Sequence, residues 1–133
     1  MSTKTIFARI LFLLYLVAIG MLCWMHVDKM PDIQKTILGF PTDKVAHFVM
    51  FLPFPILAYL AFDHRNGKAW YAVFFALAAL FSGAAVAAIT EWVQSFLPYR
   101  TLDMADLKAD LLALLISTLF VFLVDITHLR KRG

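Results

Sequence analysis

Residues 69–90 read AWYAVFFALAALFSGAAVAAIT, and this uncharged run decides the fold. A helix needs about 20 predominantly apolar residues to cross the ~30 Å hydrocarbon layer of a membrane, so the run predicts a transmembrane helix. Three further runs lack acidic and basic side chains apart from histidine, and they cover residues 10–27, 45–62 and 111–124. Four such runs in one chain predict four membrane crossings.

The composition agrees with this interpretation. Of the 133 residues, 62% are hydrophobic and only 16% are charged, which leaves too little polar surface for a soluble domain of this length. We therefore predict an all-α, integral membrane four-helix bundle formed by a single domain, residues 1–133. The predicted helices lie at approximately residues 6–26, 44–62, 69–97 and 104–125.

Lysine and arginine are distributed unevenly between the two sides of such a bundle. If the N-terminus lies inside, the inner segments contain seven of the 12 basic residues and the outer segments contain five. The positive-inside rule counts these residues and favours that orientation. Both termini are therefore expected in the cytoplasm.

The first outer loop, residues 28–43, admits two interpretations. Pro31 suits the first turn of a helix, Ile33 and Ile37 recur at helical spacing, and Gly39 supplies a stop. This pattern is typical of a short helix lying in the membrane interface, and a plain linker is the alternative. The second apolar run contains Pro53 and Pro55, which remove two backbone donors within one turn and predict a kink.

The unusual polar residues fall in three short segments at the outer ends of the predicted helices. In the first segment Asp43 and His47 are four residues apart, and in the second Glu91 and Gln94 are three apart, so each pair shares a helix face. Asp103, Asp106 and Asp110 recur at i, i+3 and i+7 and form one stripe. We expect these faces to meet inside the bundle.

The length of the fourth apolar run makes this expectation sharper. Residues 111–124 span only about 21 Å as a helix, which places Asp110 at or below the outer interface. An unpaired carboxylate there costs about 2.5–3.5 kcal/mol on insertion scales. Pairing with Lys44, His47 or Arg100, or protonation, would relieve that cost, and such residues are functional candidates.

The chemistry of these side chains suggests a binding site with acid–base groups. The predicted acid–base residues are His47, Glu91 and Asp106, and the predicted substrate-binding residues are Lys44, Gln94, Arg100, Asp103 and Asp110. Simpler roles remain open: Asp103 as a helix N-cap, and Lys44 and Arg100 as interface anchors. No cofactor is expected. The alternative is a divalent cation held by these acids and His47, for which the sequence has no dedicated motif. A nucleic-acid role has no support.

The three segments resemble those of the VanZ-like family of small bacterial membrane proteins. The resemblance covers roughly residues 40–115 and rests on these residues: Asp43, Lys44, His47, Glu91, Gln94, Pro98, Arg100, Asp103 and Asp106. The chain departs from the family pattern at Asp110, Ala113 and Phe51, where asparagine, glycine and tyrosine are usual.

The resemblance implies a multi-pass protein of the bacterial cytoplasmic (inner) membrane, associated with the cell envelope and low-level teicoplanin resistance. We expect an outward-facing polar pocket that binds, and in an enzymatic version processes, a lipid-linked or anionic head group. The expected partners are a membrane lipid or a lipid-linked cell-wall intermediate, together with a second copy or a partner membrane protein. The alternative is a non-catalytic scaffold whose polar cluster only staples the helices.

The charge distribution generates a topological prediction. Reporter domains fused after Lys68 and after Arg132 should both report the cytoplasm, and a fusion after Gly39 should report the opposite side. Finding Gly39 and Lys68 on the same side would remove one of the four predicted crossings.

Overall fold

The computed structural model describes residues 1–24, 36–62, 67–99 and 102–132. Its elements are α1 (Thr3–Trp24), β1 (Thr36–Ile37), β2 (Phe40–Pro41), α2 (Thr42–Phe51), α3 (Phe54–Phe62), α4 (Ala69–Gln94) and α5 (Met104–Arg132). Four stretches are long and apolar enough to cross a membrane: Thr3–Trp24, Thr42–Phe62, Ala69–Gln94 and Met104–Lys131. The predicted all-α four-helix membrane bundle is confirmed.

The bundle is organised around α5, which packs against α2, α3 and α4. The helix α1 lies at the periphery, mainly against α3 and also against α4. The core contains Ile19 from α1, Phe51 from α2, Phe54 from α3 and Leu114 from α5. Three helices thus pack against α5, so the buried polar side chains of α5 lie in the interior of the bundle.

Small residues let α4 approach its neighbours closely. Ala72, Ala79, Gly83 and Ala87 are buried along one face of α4. A Cβ atom built on Gly83 would lie 2.6 Å from the Cδ2 atom of Leu114. Close packing of this kind drives helix association in lipid. Apolar side chains gain no hydrophobic free energy there when they exchange lipid contacts for contacts with another helix.

The outer surface of the bundle is apolar on every helix. Exposed large side chains include Phe7 on α1, Leu60 on α3, Phe81 on α4 and Phe120 on α5. A soluble monomer does not leave so many large apolar groups in water. This surface is suited to contact with lipid.

The second membrane span is interrupted at Leu52 and Pro53, as the two prolines predict. The helix α2 ends at Phe51 and α3 begins at Phe54. Next to the interruption, the Tyr15 hydroxyl donates a hydrogen bond to the Met50 carbonyl oxygen. A side chain of α1 therefore satisfies a backbone acceptor that could not form a hydrogen bond with water inside a membrane.

The described part of the first outer loop, from Thr36 onward, is a β-hairpin and not the short interfacial helix that the sequence predicts. Thr36 and Ile37 pair antiparallel with Phe40 and Pro41. Leu38 and Gly39 both have positive φ, at 51° and 83°, which is the backbone of a tight hairpin turn. The predicted interfacial helix therefore does not include Ile37, and residues 28–35 of that prediction lie outside the described residues.

Two predicted helix ends are also corrected. The helix α4 stops at Gln94 instead of residue 97, and tighter turns follow, in which Phe96 and Leu97 donate to the carbonyl oxygens three residues earlier. The helix α5 continues to Arg132 instead of ending at residue 125. Basic residues in its final turns oppose the negative end of the helix dipole and favour this extension.

The close approach at Gly83 generates a stability prediction. The Gly83→Val variant should be destabilised by about 1–3 kcal/mol, because the new side chain meets the buried Leu114 and Phe54 side chains. The control is Gly20→Val, where a Cβ atom would make only an ordinary 3.4 Å contact with the partly exposed Trp24 ring of the same helix. Denaturation of both purified variants in detergent measures the difference, and equal stabilities would contradict the packing.

Candidate functional site

The polar side chains gather at one end of the bundle, which we call the polar end. This end is formed by the last turns of α1 and α4 and the first turns of α2 and α5. The N-terminal part of α1 and the end of α3 lie at the opposite end, where the Arg9 side chain donates to the Ala61 carbonyl oxygen at 3.0 Å. The alternating direction of the helices therefore brings the three predicted polar segments together.

Lys44 is bonded to three carboxylates. Its ammonium group donates to Asp43 at 2.8 Å and also donates to Asp103 and Asp106. The exposed fraction of the side chain is 59% for Asp43, 42% for Asp103 and 10% for Asp106. Lys44 therefore joins the first turn of α2 to the first turn of α5, and its charge is shared among three acids.

His47 lies one turn deeper, between two carboxylates of α5. Its Nδ1 atom is 3.0 Å from Asp110 Oδ1, and its Nε2 atom is 3.5 Å from Asp106 Oδ2. All three residues are buried, and Asp110 is wholly inaccessible. The predicted relief of the buried Asp110 carboxylate by His47 is therefore present in the structure.

Glu91 and Gln94 share a face of α4, but they contact different elements. The Oε1 atom of Glu91 accepts a hydrogen bond from the backbone N–H of Asp103 at 2.7 Å. The side-chain amide of Gln94 donates to the Cys23 carbonyl oxygen at 2.5 Å. Glu91 therefore belongs to the cluster around α5, while the described contact of Gln94 is with the backbone of α1.

Asp103 has the capping role considered for it from the sequence and is also bonded to Lys44. Its Oδ1 atom accepts the backbone N–H of Ala105 at 2.8 Å, so it caps α5, and its Oδ2 atom accepts from Lys44. The Lys44 ammonium and the Ala105 N–H lower the pKa of Asp103 below the ordinary aspartate value, because both stabilise the ionised carboxylate.

The structure therefore brings six of the predicted site residues together. These six are Lys44, His47, Glu91, Asp103, Asp106 and Asp110. Arg100, the predicted anion clamp, lies outside the described residues. Asp43 is not among the residues predicted to form the site, although its i, i+4 spacing to His47 indicates a shared helix face.

The electrostatic balance of the site is strongly negative. We define the acidic cluster as Asp43, Glu91, Asp103, Asp106 and Asp110. Over the described part of the polar end, the positive groups are Lys44, the exposed Lys108 and, when protonated, His47. Lys44 is already bonded to three carboxylates of the acidic cluster. The described residues around these acids therefore hold an excess of negative charge, and the Lys44 ammonium is not available to an anionic ligand.

Two oxygens of the acidic cluster are buried without a hydrogen-bond donor among the described residues. They are Glu91 Oε2 and Asp110 Oδ2. Glu91 is only 2% exposed and Asp110 is 0% exposed. A buried acceptor left unsatisfied costs about 1–3 kcal/mol, and more when it is charged. These atoms mark where the cluster needs a proton, a cation or a donor group.

Comparison with known proteins places the whole polar end inside one family match. A family model described as VanZ/LLP1 matches residues 12–125. An uncharacterised protein of Schizosaccharomyces pombe is 35% identical over 89 residues, which cover 67% of this chain and 52% of that protein. The chain thus spans about half the length of this curated relative. No solved structure matches the chain.

The contacts of Lys44 generate a prediction about stability and pH. Lys44→Met should lower the free energy of unfolding by about 1–3 kcal/mol at neutral pH, because three carboxylates lose their counter-charge. Asp103, whose pKa is lowered in the fold, stabilises the wild type above the ordinary aspartate pKa, and that contribution disappears as the pH falls through the lowered value. The difference between variant and wild type should therefore narrow in acid.

Lys108→Met is the matched control, since Lys108 is an exposed lysine of α5. Its replacement should change the free energy of unfolding by no more than about 0.5 kcal/mol. Denaturant titrations in detergent over a series of pH values measure both variants. Indistinguishable curves for the two variants would show that the Lys44 ion pairs contribute nothing.

Proposed function

This chain belongs to the VanZ/LLP1 family, and we propose that it is a cell-envelope membrane protein whose polar end binds a lipid head group. The ligand would be the head group of a membrane lipid or of a lipid-linked envelope intermediate. We further propose that the polar end faces outward from a bacterial cytoplasmic membrane and that both termini are cytoplasmic. The family resemblance associates proteins of this kind with low-level teicoplanin resistance.

The observation that carries this proposal is a gradient of exposure within the acidic cluster. The side chains pass from Asp43, which is 59% exposed, through Asp103 and Asp106 to Asp110, which is wholly buried. This gradient lies at the ends of the membrane spans, the depth at which lipid head groups lie. A head group entering from the interface would meet polar side chains at each successive turn of α5.

The arrangement also supports a role for His47 in such a site. Its ring is held between Asp106 and Asp110, so both nitrogens face carboxylate oxygens. In an enzymatic version of the function, His47 would carry a proton with Glu91 and Asp106 as acid–base partners. The binding function does not depend on that step.

The relative in Schizosaccharomyces pombe bears on the class of ligand. Because a member of the same family region occurs in a yeast, a head group common to bacterial and yeast membranes is favoured over one restricted to bacterial walls. We therefore propose a phospholipid-type head group as the ligand. The resistance phenotype would then follow from altered envelope lipids instead of direct contact with the antibiotic.

A scaffold function is the second candidate, and specific contacts favour it. Lys44 and His47 connect α2 to α5, while the Glu91 side chain connects α4 to the start of α5. Gln94 connects α4 to α1. These bonds staple four helices at one end of the bundle, and buried polar bonds in membranes serve that purpose in other proteins.

The two functions are separated by near-isosteric changes at Glu91 and His47. Glu91→Gln keeps an oxygen that accepts the Asp103 N–H, so the fold should remain intact while the charge is lost. If the polar end binds a ligand, Glu91→Gln and His47→Gln should melt within a few degrees of wild type and fail to restore teicoplanin resistance in a deletion strain. If the polar end is a staple, both variants should lose stability and resistance together.

Asp125→Asn supplies the matched control. Asp125 is a buried acid of the same helix α5, near the opposite end of the bundle, and it accepts a hydrogen bond from Tyr59 at 3.3 Å. This variant should retain resistance. Thermal stability of the purified variants and resistance of the complemented cells are measured in parallel. Full resistance in the Glu91→Gln and His47→Gln strains would refute the roles proposed for both residues.

A further inference from the structure

Three carboxylates at the mouth of the polar end have the spacing of ligands around one cation. Oxygen atoms of Asp43, Asp103 and Asp106 all lie within 4.8 Å of one another. Calcium binds carboxylate oxygens at about 2.3–2.6 Å, so two oxygens on one ion are at most about 5 Å apart. The three carboxylates therefore need no large rearrangement to share a cation.

The structure already places one positive group among these three oxygens. The Lys44 ammonium is bonded to all three carboxylates. A single positive charge balances only one of these three negative charges. The position of the ammonium thus identifies where a cation is most stabilised, and the charge count favours a divalent one.

An independent observation at Glu91 also points to a bound cation. Its Oε2 atom is buried and has no hydrogen-bond donor among the described residues. The residue as a whole is only 2% exposed. The other oxygen of the same carboxylate accepts the backbone N–H of Asp103, so Glu91 lies directly against one of the three ligand residues. Hydrated Mg²⁺ and Ca²⁺ keep water molecules that donate to such second-layer acceptors.

We propose that Asp43, Asp103 and Asp106 bind a divalent cation of the Mg²⁺ or Ca²⁺ class, in exchange with the Lys44 ammonium, and that this cation receives the phosphate of a lipid head group. The choice of metal follows from the ligands, which are carboxylate oxygens only. The phosphate step rests on the proposed function. It resolves a conflict within that function, because the Lys44 ammonium is already paired with three acids and is not available to an anionic head group.

The side chain of Lys44 permits the exchange. Its ammonium sits on a flexible four-carbon stem, and the side chain is 21% exposed at the mouth of the site. Moving toward the interface costs the ammonium three ion pairs, and the arriving metal takes those three carboxylates. Lys44 thus competes with the metal, and its removal should strengthen metal binding.

The test measures metal binding directly, with no lipid present. Isothermal titration of the full chain in detergent with CaCl₂, and separately with MgCl₂, should show one saturable site in the wild type. Lys44→Met should bind the same ion at least roughly tenfold more tightly, because a competing charge is removed. Adding Asp106→Asn or Asp103→Asn to Lys44→Met should abolish that gain, whereas adding Asp125→Asn should leave it unchanged.

Two outcomes would overturn the metal site. One is the absence of saturable binding in both the wild type and Lys44→Met, with circular dichroism showing both to be folded. The other is metal binding that survives Asp103→Asn and Asp106→Asn, which would place the ion elsewhere. If Lys44→Met fails to fold, the wild type with Asp103→Asn alone decides, since Asp103 is half-exposed and asparagine retains the capping oxygen.

A second arm tests the phosphate step with dihexanoyl phosphatidic acid as the probe. Binding of this lipid should require added CaCl₂ or MgCl₂, disappear in EDTA and weaken in Asp106→Asn. Equal binding with metal and with EDTA would overturn the phosphate step. The two proposals can fail separately. If the titrations show no metal site but Glu91→Gln and His47→Gln are stable and inactive, the head-group proposal stands and the metal proposal does not.

Discussion

The hydrocarbon layer of a membrane offers no hydrogen-bond partners, and most of this structure follows from that constraint. Backbone groups are satisfied within long helices, and where the second span is interrupted, the Tyr15 hydroxyl bonds the Met50 carbonyl oxygen. Charged side chains lie toward the ends of the spans, and one of them, the wholly buried Asp110, is held by His47. The apolar surfaces face outward because lipid is their solvent, while close contact through Gly83 replaces the hydrophobic effect between helices.

The acidic cluster combines two properties that usually oppose each other. Lys44, His47 and Glu91 make bonds between helices, which favour a rigid end of the bundle. The cluster also holds two buried oxygens without a donor among the described residues, on Glu91 and Asp110, and an excess of negative charge, which lower stability unless a proton, cation or ligand is present. Binding sites in proteins often hold polar groups at some expense to stability. The unequal exposure of the acids, from Asp43 to Asp110, shows that the imbalance extends from the surface into the interior.

Much of this arrangement could be predicted from the sequence, because membrane spans leave long uncharged runs and helical stripes leave fixed spacings. The stripe of Asp103, Asp106 and Asp110 predicted the inner face correctly for Asp106 and Asp110, which are buried on α5, while Asp103 caps the helix and is partly exposed. The hairpin at Leu38 and Gly39 could not be predicted, since it depends on positive φ at a leucine. The hydrogen bond from Gln94 to the Cys23 carbonyl oxygen could not be predicted either. The two residues are 71 positions apart, and every residue has a backbone oxygen, so the sequence does not indicate which one accepts the bond.

The interruption at Leu52 and Pro53 divides one membrane span into two helices, α2 and α3, that have different roles. The ten residues of α2 carry both basic groups of the site, Lys44 and His47, while α3 packs among α1, α4 and α5. Evolution can therefore alter the short polar part without redesigning the apolar anchor that follows it. The same division offers protein engineers a natural splice point, at which the α2 segments of related chains could be exchanged to transplant specificity.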